Sequence, residues 1–348
     1  MHHLNLEGNH YEMGVTRGKI FRQCHTLFPI QLDHFQLRHG RHSEELLRAF
    51  FPEVCEEIRG VSDTIGVDYL TFASWMLCMG CCMYNLKRNI PVEIRGCTAF
   101  AYSAGGRLLY GRNNDLPPWL RDDSKSELYT PRGGSRFYMA TSSFINGEEG
   151  FNEHGLAVAM TFVMTKPAKI RPGFNSCFIV RYLLEKASDI EQALSLLAPL
   201  PIASNCNILL ADQTGRMAVI ECAPSARKIR EAESSEYGSI VCTVNRFISD
   251  EMKPYDDTVG NDYGSYTRYQ VVMDSFSQGY LADGSIEAAE RLLKGDYGFL
   301  CQYDHEPDFE TVWSTAFDLD DFTIYRAEGD PRKIPFLRDD RLRQGLLL

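Results

Sequence analysis

The stretch at residues 94–115 constrains the chain more than any other, because it predicts a β-hairpin with reactive side chains at one end. Its first half alternates apolar and aromatic residues, as strands do, and a turn with two glycines leads to a second apolar strand. The hairpin would bring Cys97 near Arg112, Asn113 and Asp115. A thiol then meets a cation, an amide and a carboxylate, and such neighbours shift the pKa of nucleophilic thiols.

The sequences Gly-Cys-Thr at 96–98 and Gly-Arg-Asn-x-Asp at 111–115 resemble those of cysteine N-terminal-nucleophile hydrolases. The most similar groups are the acyl-coenzyme A:6-aminopenicillanate acyltransferases, the bile salt hydrolases with penicillin V acylase, and acid ceramidase. In these families the cysteine becomes the first residue of a chain, its α-amine acts as the base and its thiol as the nucleophile. The acyltransferases carry a long segment before the cysteine and cut themselves. The resemblance therefore implies a zymogen that yields chains 1–96 and 97–348 by autocatalytic cleavage.

The resemblance also implies roles for residues near the nucleophile. Arg112 would favour the thiolate, and Asp115 would hold the α-amine. The Ser-x-x-Arg-Tyr pattern at 265–269 matches an arginine that lies close to the nucleophile in relatives, which makes Arg268 a site residue, with a plain surface arginine as the alternative.

An oxyanion hole is implied by two further matches to the family pattern. The Asn-Glu-x-Gly-Leu sequence at 152–156 precedes a strand whose backbone N–H groups, near Thr161 and Phe162, would bind the oxyanion. Asn245 follows a predicted strand and would add its side-chain amide. Asn207 is the rival candidate, although it opens its own strand and could simply cap it.

Substrate contacts are predicted from apolar residues around the hairpin. A loop of about 20 residues, 116–135, would follow the second strand, and loops that long are usually functional or disordered. Trp119 and Leu120 in this loop, with Phe137 and Tyr138 after it, would line a pocket for an apolar acyl group. A solvated loop with one buried tryptophan is the alternative interpretation.

Helical periodicity predicts three or four helices in residues 19–88. Gly14 and Gly18 share one helix face and predict a seam where another backbone approaches closely. The run Cys78-Met79-Gly80-Cys81-Cys82 invites a metal interpretation, but a zinc site needs further ligands at suitable spacing and none is evident. We interpret these cysteines as buried structural thiols and predict no metal.

Composition excludes several partners. The 348 residues carry a net charge of −11, so nucleic acid is not expected, and no apolar run approaches the roughly 20 residues that span a bilayer. The N-terminus lacks the basic and apolar regions of a signal peptide, so we expect reduced thiols in a cytoplasmic protein. We expect no cofactor, a homo-oligomer, and a small N-acyl amide as substrate.

The order of predicted elements suits an α+β fold, the four-layer αββα sandwich of N-terminal-nucleophile hydrolases, built as one domain. The favoured function is a self-processing amidohydrolase that cleaves a linear non-peptide amide through a Cys97 thioester. The alternatives are an acyl-coenzyme A-dependent N-acyltransferase, a thiol enzyme with a histidine partner, and a non-catalytic binding protein that retains the fold. None of the nine histidines has a compelling setting for the histidine-partnered mechanism.

Overall fold

The computed structural model describes the chain except residues 27, 29, 80, 83, 86–89, 92–95, 143, 260–261, 304–308 and 347–348. The start of the predicted hairpin stretch, residues 94–95, therefore lies outside the described residues. The helices are α1 (His10–Gln23), α2 (His34–Phe50), α3 (Pro52–Ile65), α4 (Tyr69–Cys78), α5 (Leu120–Asp123), α6 (Ser176–Lys186), α7 (Ile190–Leu197), α8 (Ser265–Ser277), α9 (Ile286–Lys294) and α10 (Arg341–Gln344).

The strands begin with one that precedes the first helix. They are β1 (His2–Gly8), β2 (Tyr84–Asn85), β3 (Ile90–Pro91), β4 (Gly96–Ala104), β5 (Arg107–Leu116), β6 (Lys125–Pro131), β7 (Phe137–Thr141), β8 (Glu149–Asn152), β9 (Ala157–Phe162), β10 (Cys206–Ala211), β11 (Met217–Ala223), β12 (Ala226–Glu231), β13 (Glu233–Ser235), β14 (Gly238–Thr243), β15 (Glu310–Asp318), β16 (Thr323–Ala327) and β17 (Leu337–Asp339).

Two large sheets carry nearly all of these strands. The eight-stranded sheet has the order β1-β6-β7-β8-β9-β10-β11-β12, and the seven-stranded sheet has the order β13-β14-β4-β5-β15-β16-β17. The predicted hairpin is β4 paired antiparallel with β5 in the middle of the second sheet. β14 pairs with β4 from Ala99 to Ser103, and β15 pairs with β5, so most of the hairpin lies between two neighbouring strands.

Three apolar cores separate four layers. The first lies between the eight-stranded sheet and helices α1–α4, α6 and α7; the second lies between the two sheets, where Ala99 and Tyr110 meet Tyr138 and Leu209. The third lies between the seven-stranded sheet and helices α8 and α9. The layer order is helix, sheet, sheet, helix, which confirms the predicted α+β αββα sandwich.

The glycine seam predicted for the first helix is confirmed at the contact of α1 with α3. A Cβ on Gly14 would stand 2.1 Å from the carbonyl oxygen of Glu57, and one on Gly60 would stand 2.3 Å from that of Tyr11. Two helix backbones can approach this closely only where neither carries a side chain. The described part of residues 19–88 contains α2, α3, α4 and the end of α1, in agreement with the three or four helices predicted there.

The loop predicted at 116–135 is wrong for most of its length, because it contains α5 and then β6, which pairs parallel with β1. The polar composition of β6 is the reason that the sequence did not predict this strand. Its Glu127 is fully buried and accepts two hydrogen bonds from the Arg17 guanidinium of α1, at 2.6 and 2.7 Å. A charged side chain in a strand can be buried when an oppositely charged side chain forms hydrogen bonds with it. Here that side chain is Arg17, which is distant in sequence, so a local pattern does not reveal it.

Within the described residues, no helix combines the length and the apolar character needed to cross a membrane.

Candidate active site

The register of β4 and β5 divides the predicted site between two faces of one sheet. Cys97 lies opposite Asn114, and Gly96 lies opposite Asp115. Side chains alternate along strands, so Cys97, Arg112 and Asn114 face the other sheet, whereas Asp115 and Asn113 face the helices. The period of the strand therefore places Arg112 beside the thiol, as predicted, and corrects the predicted convergence of Asn113 and Asp115 on it.

The thiol of Cys97 lies in the interior between the sheets and is 2% exposed. Its Sγ donates to Asn114 Oδ1 at 3.2 Å and accepts from Arg112 Nη2 at 3.1 Å. Arg112 also donates to Asn114 Oδ1, at 2.7 Å from Nη2, which fixes the orientation of that amide. Sequence reasoning missed Asn114 because it occupies the variable position of the motif, although it is the residue directly opposite Cys97.

Arg112 carries a buried positive charge next to this thiol. Its side chain is fully buried, and its Nη1 crosses to the other sheet to donate to the carbonyl oxygen of Met160 at 2.5 Å. Burial acts to lower the pKa of Arg112, but the nearby Cys97, Tyr110 and Glu149 outweigh it and raise the pKa. A fixed cation at this distance favours the thiolate over the thiol.

Asn245, just after β14, contacts the backbone of Cys97. Its Oδ1 accepts the Cys97 N–H at 2.7 Å, and its Nδ2 donates to the carbonyl oxygen of Phe162 at 3.0 Å. The side chain therefore links the backbone nitrogen of Cys97 to the end of β9, the strand predicted to supply the oxyanion-binding N–H.

Arg268 lies on α8 and reaches the other side of the same backbone. Its Nη1 donates to the carbonyl oxygen of Cys97 at 2.6 Å and to Thr98 Oγ1 at 2.7 Å, and its Nη2 donates to Asn245 Oδ1 at 3.0 Å. Its side chain is fully buried, so the surface interpretation of Arg268 is wrong. Burial lowers the pKa of this guanidinium, opposed by the nearby Asp115 and Cys97.

Asp115 is buried beside the residue that precedes the nucleophile. Its Oδ1 accepts from Thr311 Oγ1 at 2.7 Å, and its Oδ2 has no hydrogen-bond partner among the described residues. Burial raises the pKa of this carboxyl to about 6, although Arg268, Thr311 and Arg112 act in the opposite direction. Asp115 thus has an acceptor atom available on the helix side of the sheet.

Gly96 is explained by packing, since it shows no left-handed backbone angle. A Cβ there would stand 2.7 Å from the ring of Phe309 and 3.3 Å from the Cβ of Asp115. Glycine is required at this position because a side chain has no room.

Asn207 and Thr161 hold the segment that carries Asn245. Asn207 Nδ2 donates to the carbonyl oxygens of Val244 and Arg246, at 2.9 and 3.1 Å, and Thr161 Oγ1 donates to that of Val244 at 2.6 Å. Of the two asparagines considered, Asn245 contacts Cys97 and Asn207 supports its neighbours. Asn113 is structural too, with its amide donating to two carbonyl oxygens near α9.

The four predicted substrate-lining residues are not brought together. Phe137 and Tyr138 are adjacent in β7 and point to opposite faces, where Phe137 stacks on Tyr129 at 4.8 Å and Tyr138 packs edge-on against Phe317. Both are core residues, which corrects their assignment to one pocket. Trp119 is 64% exposed and Leu120 is half-buried, so neither is enclosed in a pocket around the thiol.

A cavity of about 390 Å³ lies elsewhere, between the first strand and helix and the Asp122–Lys125 region. Its lining residues do not include Cys97. With Cys97 only 2% exposed, its thiol is closed to a substrate in this structure.

Comparison with known proteins identifies the family of the chain. The sequence pattern of the acyl-coenzyme A:6-aminopenicillanic acid acyl-transferase family matches residues 103–333, more than half of the chain. The chain therefore belongs to this family, which makes it an enzyme of the amide hydrolase and acyltransferase class. No curated protein sequence is significantly similar to it.

Three solved structures are similar to the chain. Penicillin V acylase from Agrobacterium tumefaciens is 15% identical, with a TM-score of 0.45, over 67% of this chain and 83% of that one. Two variants of conjugated bile acid hydrolase from Clostridium perfringens are 11% and 12% identical, with TM-scores of 0.45 and 0.48, each over 72% of this chain and 94% of that one. The expected likeness to acid ceramidase stays a prediction.

Proposed function

We propose that the chain cuts itself between Gly96 and Cys97 and that the freed Cys97 cleaves a linear, non-peptide N-acyl amide through a thioester. The observation that carries the proposal is the set of contacts around one residue. The Cys97 thiol is held by Arg112 and Asn114, while its nitrogen is held by Asn245. These contacts support the proposal, because they hold the thiol beside a cation and bind the nitrogen that the cut would free.

The cut is an intramolecular acyl shift followed by hydrolysis. Sγ of Cys97 attacks the Gly96 carbonyl carbon, the C–N bond breaks, and the thiol proton ends on the departing nitrogen. Water then hydrolyses the thioester, which leaves a carboxylate on Gly96 and a free amine and thiol on Cys97. Asp115 Oδ2, which lacks a partner among the described residues, is the acceptor we assign to that new ammonium group.

The mature reaction uses the new amine as its base. An α-amine has an unperturbed pKa of about 7.7–8.0, which suits a general base near neutral pH. It takes the thiol proton as Sγ attacks the substrate carbonyl and gives it to the departing amine. Asn245 Nδ2, with a backbone N–H near Thr161 and Phe162, would bind the oxyanion. Loss of one such donor typically costs about 2.7–4 kcal/mol of transition-state stabilisation.

A second function follows from the family match. The family is described as an acyl-coenzyme A-dependent acyltransferase, and an amine can resolve the same thioester in place of water. We rank hydrolysis first because no sequence resembling a nucleotide-binding loop for coenzyme A is evident. The amides named for the similar structures, penicillin V and conjugated bile acids, are candidate substrates for this chain as well.

Intact-mass measurement of the purified protein tests the first step. Wild type should give two chains, one beginning at Met1 and one at Cys97, and Cys97→Ala should stay whole. Cys24→Ser is the matched control, since Cys24 is exposed and should not affect cleavage. Fragments cut elsewhere, or an active uncut chain, would overturn the proposal.

A substrate panel tests the second step. N-acyl amino acids, penicillin V and bile salt conjugates serve as amides, with an acyl-coenzyme A and an amine as the competing assay. A Cys97 thioester trapped from any amide supports hydrolysis. Acyl release only from coenzyme A thioesters, and only to an amine, would replace it with acyl transfer. Binding of an amide without turnover by cut protein would favour a non-catalytic role.

We also propose a cytoplasmic location, because the chemistry needs a reduced thiol and reducing compartments preserve one. The homo-oligomer expected from the sequence is likewise a proposal, which the solution mass would check.

A further inference from the structure

Three potential metal ligands meet in the N-terminal helical layer. The side-chain donor atoms of His39, Cys81 and Cys82 lie within 4.8 Å of one another, and all three residues are buried. The sequence predicted structural thiols here because no further ligand was evident near the cysteine run. In the structure the third donor is His39 of α2. The sequence did not indicate it because α2 is distant from the cysteines along the chain.

The position of the histidine is set by helix packing. Gly40 brings α2 so close to α4 that a Cβ there would stand 2.3 Å from the Cβ of Ser74. His39, the preceding residue, is thereby held at the turn that follows α4. One turn earlier, Gln36 Nε2 donates to the carbonyl oxygen of Cys82 at 2.7 Å, which anchors the two cysteines against the same helix.

One pair of donor atoms has the spacing of tetrahedral coordination, and all three donor atoms lie within 4.8 Å of one another. Zinc bonds of about 2.3 Å to sulfur and about 2.0–2.1 Å to nitrogen place neighbouring donors roughly 3.5–3.8 Å apart. Cys81 Sγ lies 3.6 Å from His39 Nε2. The cluster therefore needs little rearrangement to bind an ion between its three donors.

The surroundings favour a soft cation. Ile170 and Ala203 pack against the cysteines, and Phe35 stacks on the His39 ring at a centroid distance of 5.9 Å. Two thiolates and one imidazole are donors that select zinc or copper(I) over hard cations such as magnesium and calcium. Two negative thiolates would also be costly in such an apolar setting unless a cation neutralised them.

We propose that His39, Cys81 and Cys82 bind one zinc ion, with water as the fourth ligand. Binding releases the two thiol protons, as metal–thiolate bonds require. Ser43 Oγ, which accepts the Gly173 N–H at 3.0 Å, lies 3.4 Å from His39 Nε2 and is placed to hold that water. The ion would join α2 to the turn that leads toward Cys97, and this site is separate from the proposed reaction.

Elemental analysis of the full-length wild-type chain, after dialysis against metal-free buffer, tests the site. We expect about one zinc per chain. Cobalt(II) added to protein stripped with a chelator should give a cobalt–thiolate charge-transfer absorption. His39→Ala and the double variant C81S/C82S should lose both signals, and Cys78→Ser should keep them, because Cys78 lies in the same run outside the cluster.

The wild-type measurements decide the matter even if a variant fails to fold. A chain that retains no zinc and gives no thiolate absorption with cobalt overturns the site, as does retention in His39→Ala. Copper(I) in place of zinc in the purified protein would overturn the choice of ion. None of these readouts depends on cleavage at Cys97, so failure here is distinguishable from failure of the proposed function.

Discussion

Asn245 Oδ1 accepts a hydrogen bond from the backbone N–H of Cys97 at 2.7 Å, and Arg268 donates to the same oxygen at 3.0 Å. One amide oxygen is therefore shared between the nitrogen of the proposed nucleophile and a buried guanidinium. Because Asn245 Nδ2 also donates to the Phe162 carbonyl oxygen, the side chain joins both sheets beside the proposed cleavage site.

Replacing Asn245 should slow self-cleavage more than replacing Asn207. Asn245→Ala removes a contact to Cys97 and the proposed oxyanion donor, and loss of such a donor typically lowers a rate by about 10²–10³. Asn207→Ala removes support for the neighbouring backbone and should mainly lower stability. Cell-free synthesis followed by electrophoresis gives the cleavage rates. Wild-type cleavage by Asn245→Ala would remove Asn245 from the site.

The ionisation of Asp115 should make cleavage depend on pH. The pKa of its carboxyl is raised by burial to about 6, so the carboxylate forms only above that pH. Arg268, Arg112, Cys301 and Tyr303 are the titratable groups that interact with it. We expect the cleavage rate to rise with pH with a midpoint near 6, and Asp115→Asn to be slow at every pH. A flat profile from pH 5 to 7 in wild type would contradict this.

The same carboxyl should affect stability in the opposite direction. Its folded pKa exceeds the ordinary aspartate value of 3.8, so the folded protein binds the proton more tightly than the unfolded chain. Its contribution to the free energy of unfolding therefore falls as pH rises from about 4 to about 6. Urea unfolding of uncut Cys97→Ala, with and without Asp115→Asn, measures the difference. The decline should be smaller in the Asp115→Asn background, and an equal decline would show that other groups cause it.

Asn113 and Asn114 provide a matched pair of substitutions on opposite faces of β5. Asn114→Ala removes the acceptor for the Cys97 thiol and for Arg112, so we expect slower cleavage in a folded chain. Asn113→Ala leaves the carbonyl oxygens of Leu293 and Leu300 without their donor, and an unsatisfied buried group costs about 1–3 kcal/mol. When both quantities are measured for both variants, Asn114→Ala should lower the cleavage rate more, and Asn113→Ala should lower the urea midpoint more. Equal effects on both readouts would contradict the assignment of faces.

Packing at Gly14 should be intolerant of a single methyl group. A Cβ would overlap the Glu57 carbonyl, so Gly14→Ala must push α1 away from α3, and overpacking of this kind costs about 1–3 kcal/mol. Urea unfolding measures the loss. Gly133→Ala is the control for a glycine with open space around it, although its positive φ adds strain of its own. A Gly14→Ala chain as stable as wild type would rule out the tight seam.

The sequence predicted the parts of the fold that local patterns control. The hairpin of β4 and β5 followed from alternation, and the α1 seam followed from glycine spacing. The burial of Glu127 could not be predicted from the local sequence, because it depends on hydrogen bonds from Arg17, which lies on another element. His39 was missed for the same reason. Asn114 could have been predicted, because side chains two residues apart in a strand share a face, which places Asn114 on the same face of β5 as Arg112.

The pairing of β1 with β6 determines what a cut at Cys97 would release. Residues 1–96 contribute a whole edge strand, which pairs with β6 from His2 to Gly8, and they include Arg17, whose guanidinium is bonded inside the other part of the chain. Cleavage would therefore create a new N-terminus at Cys97 without releasing either part of the chain. The first 96 residues would remain as a permanent subunit of a two-chain enzyme, and activation would require no dissociation step.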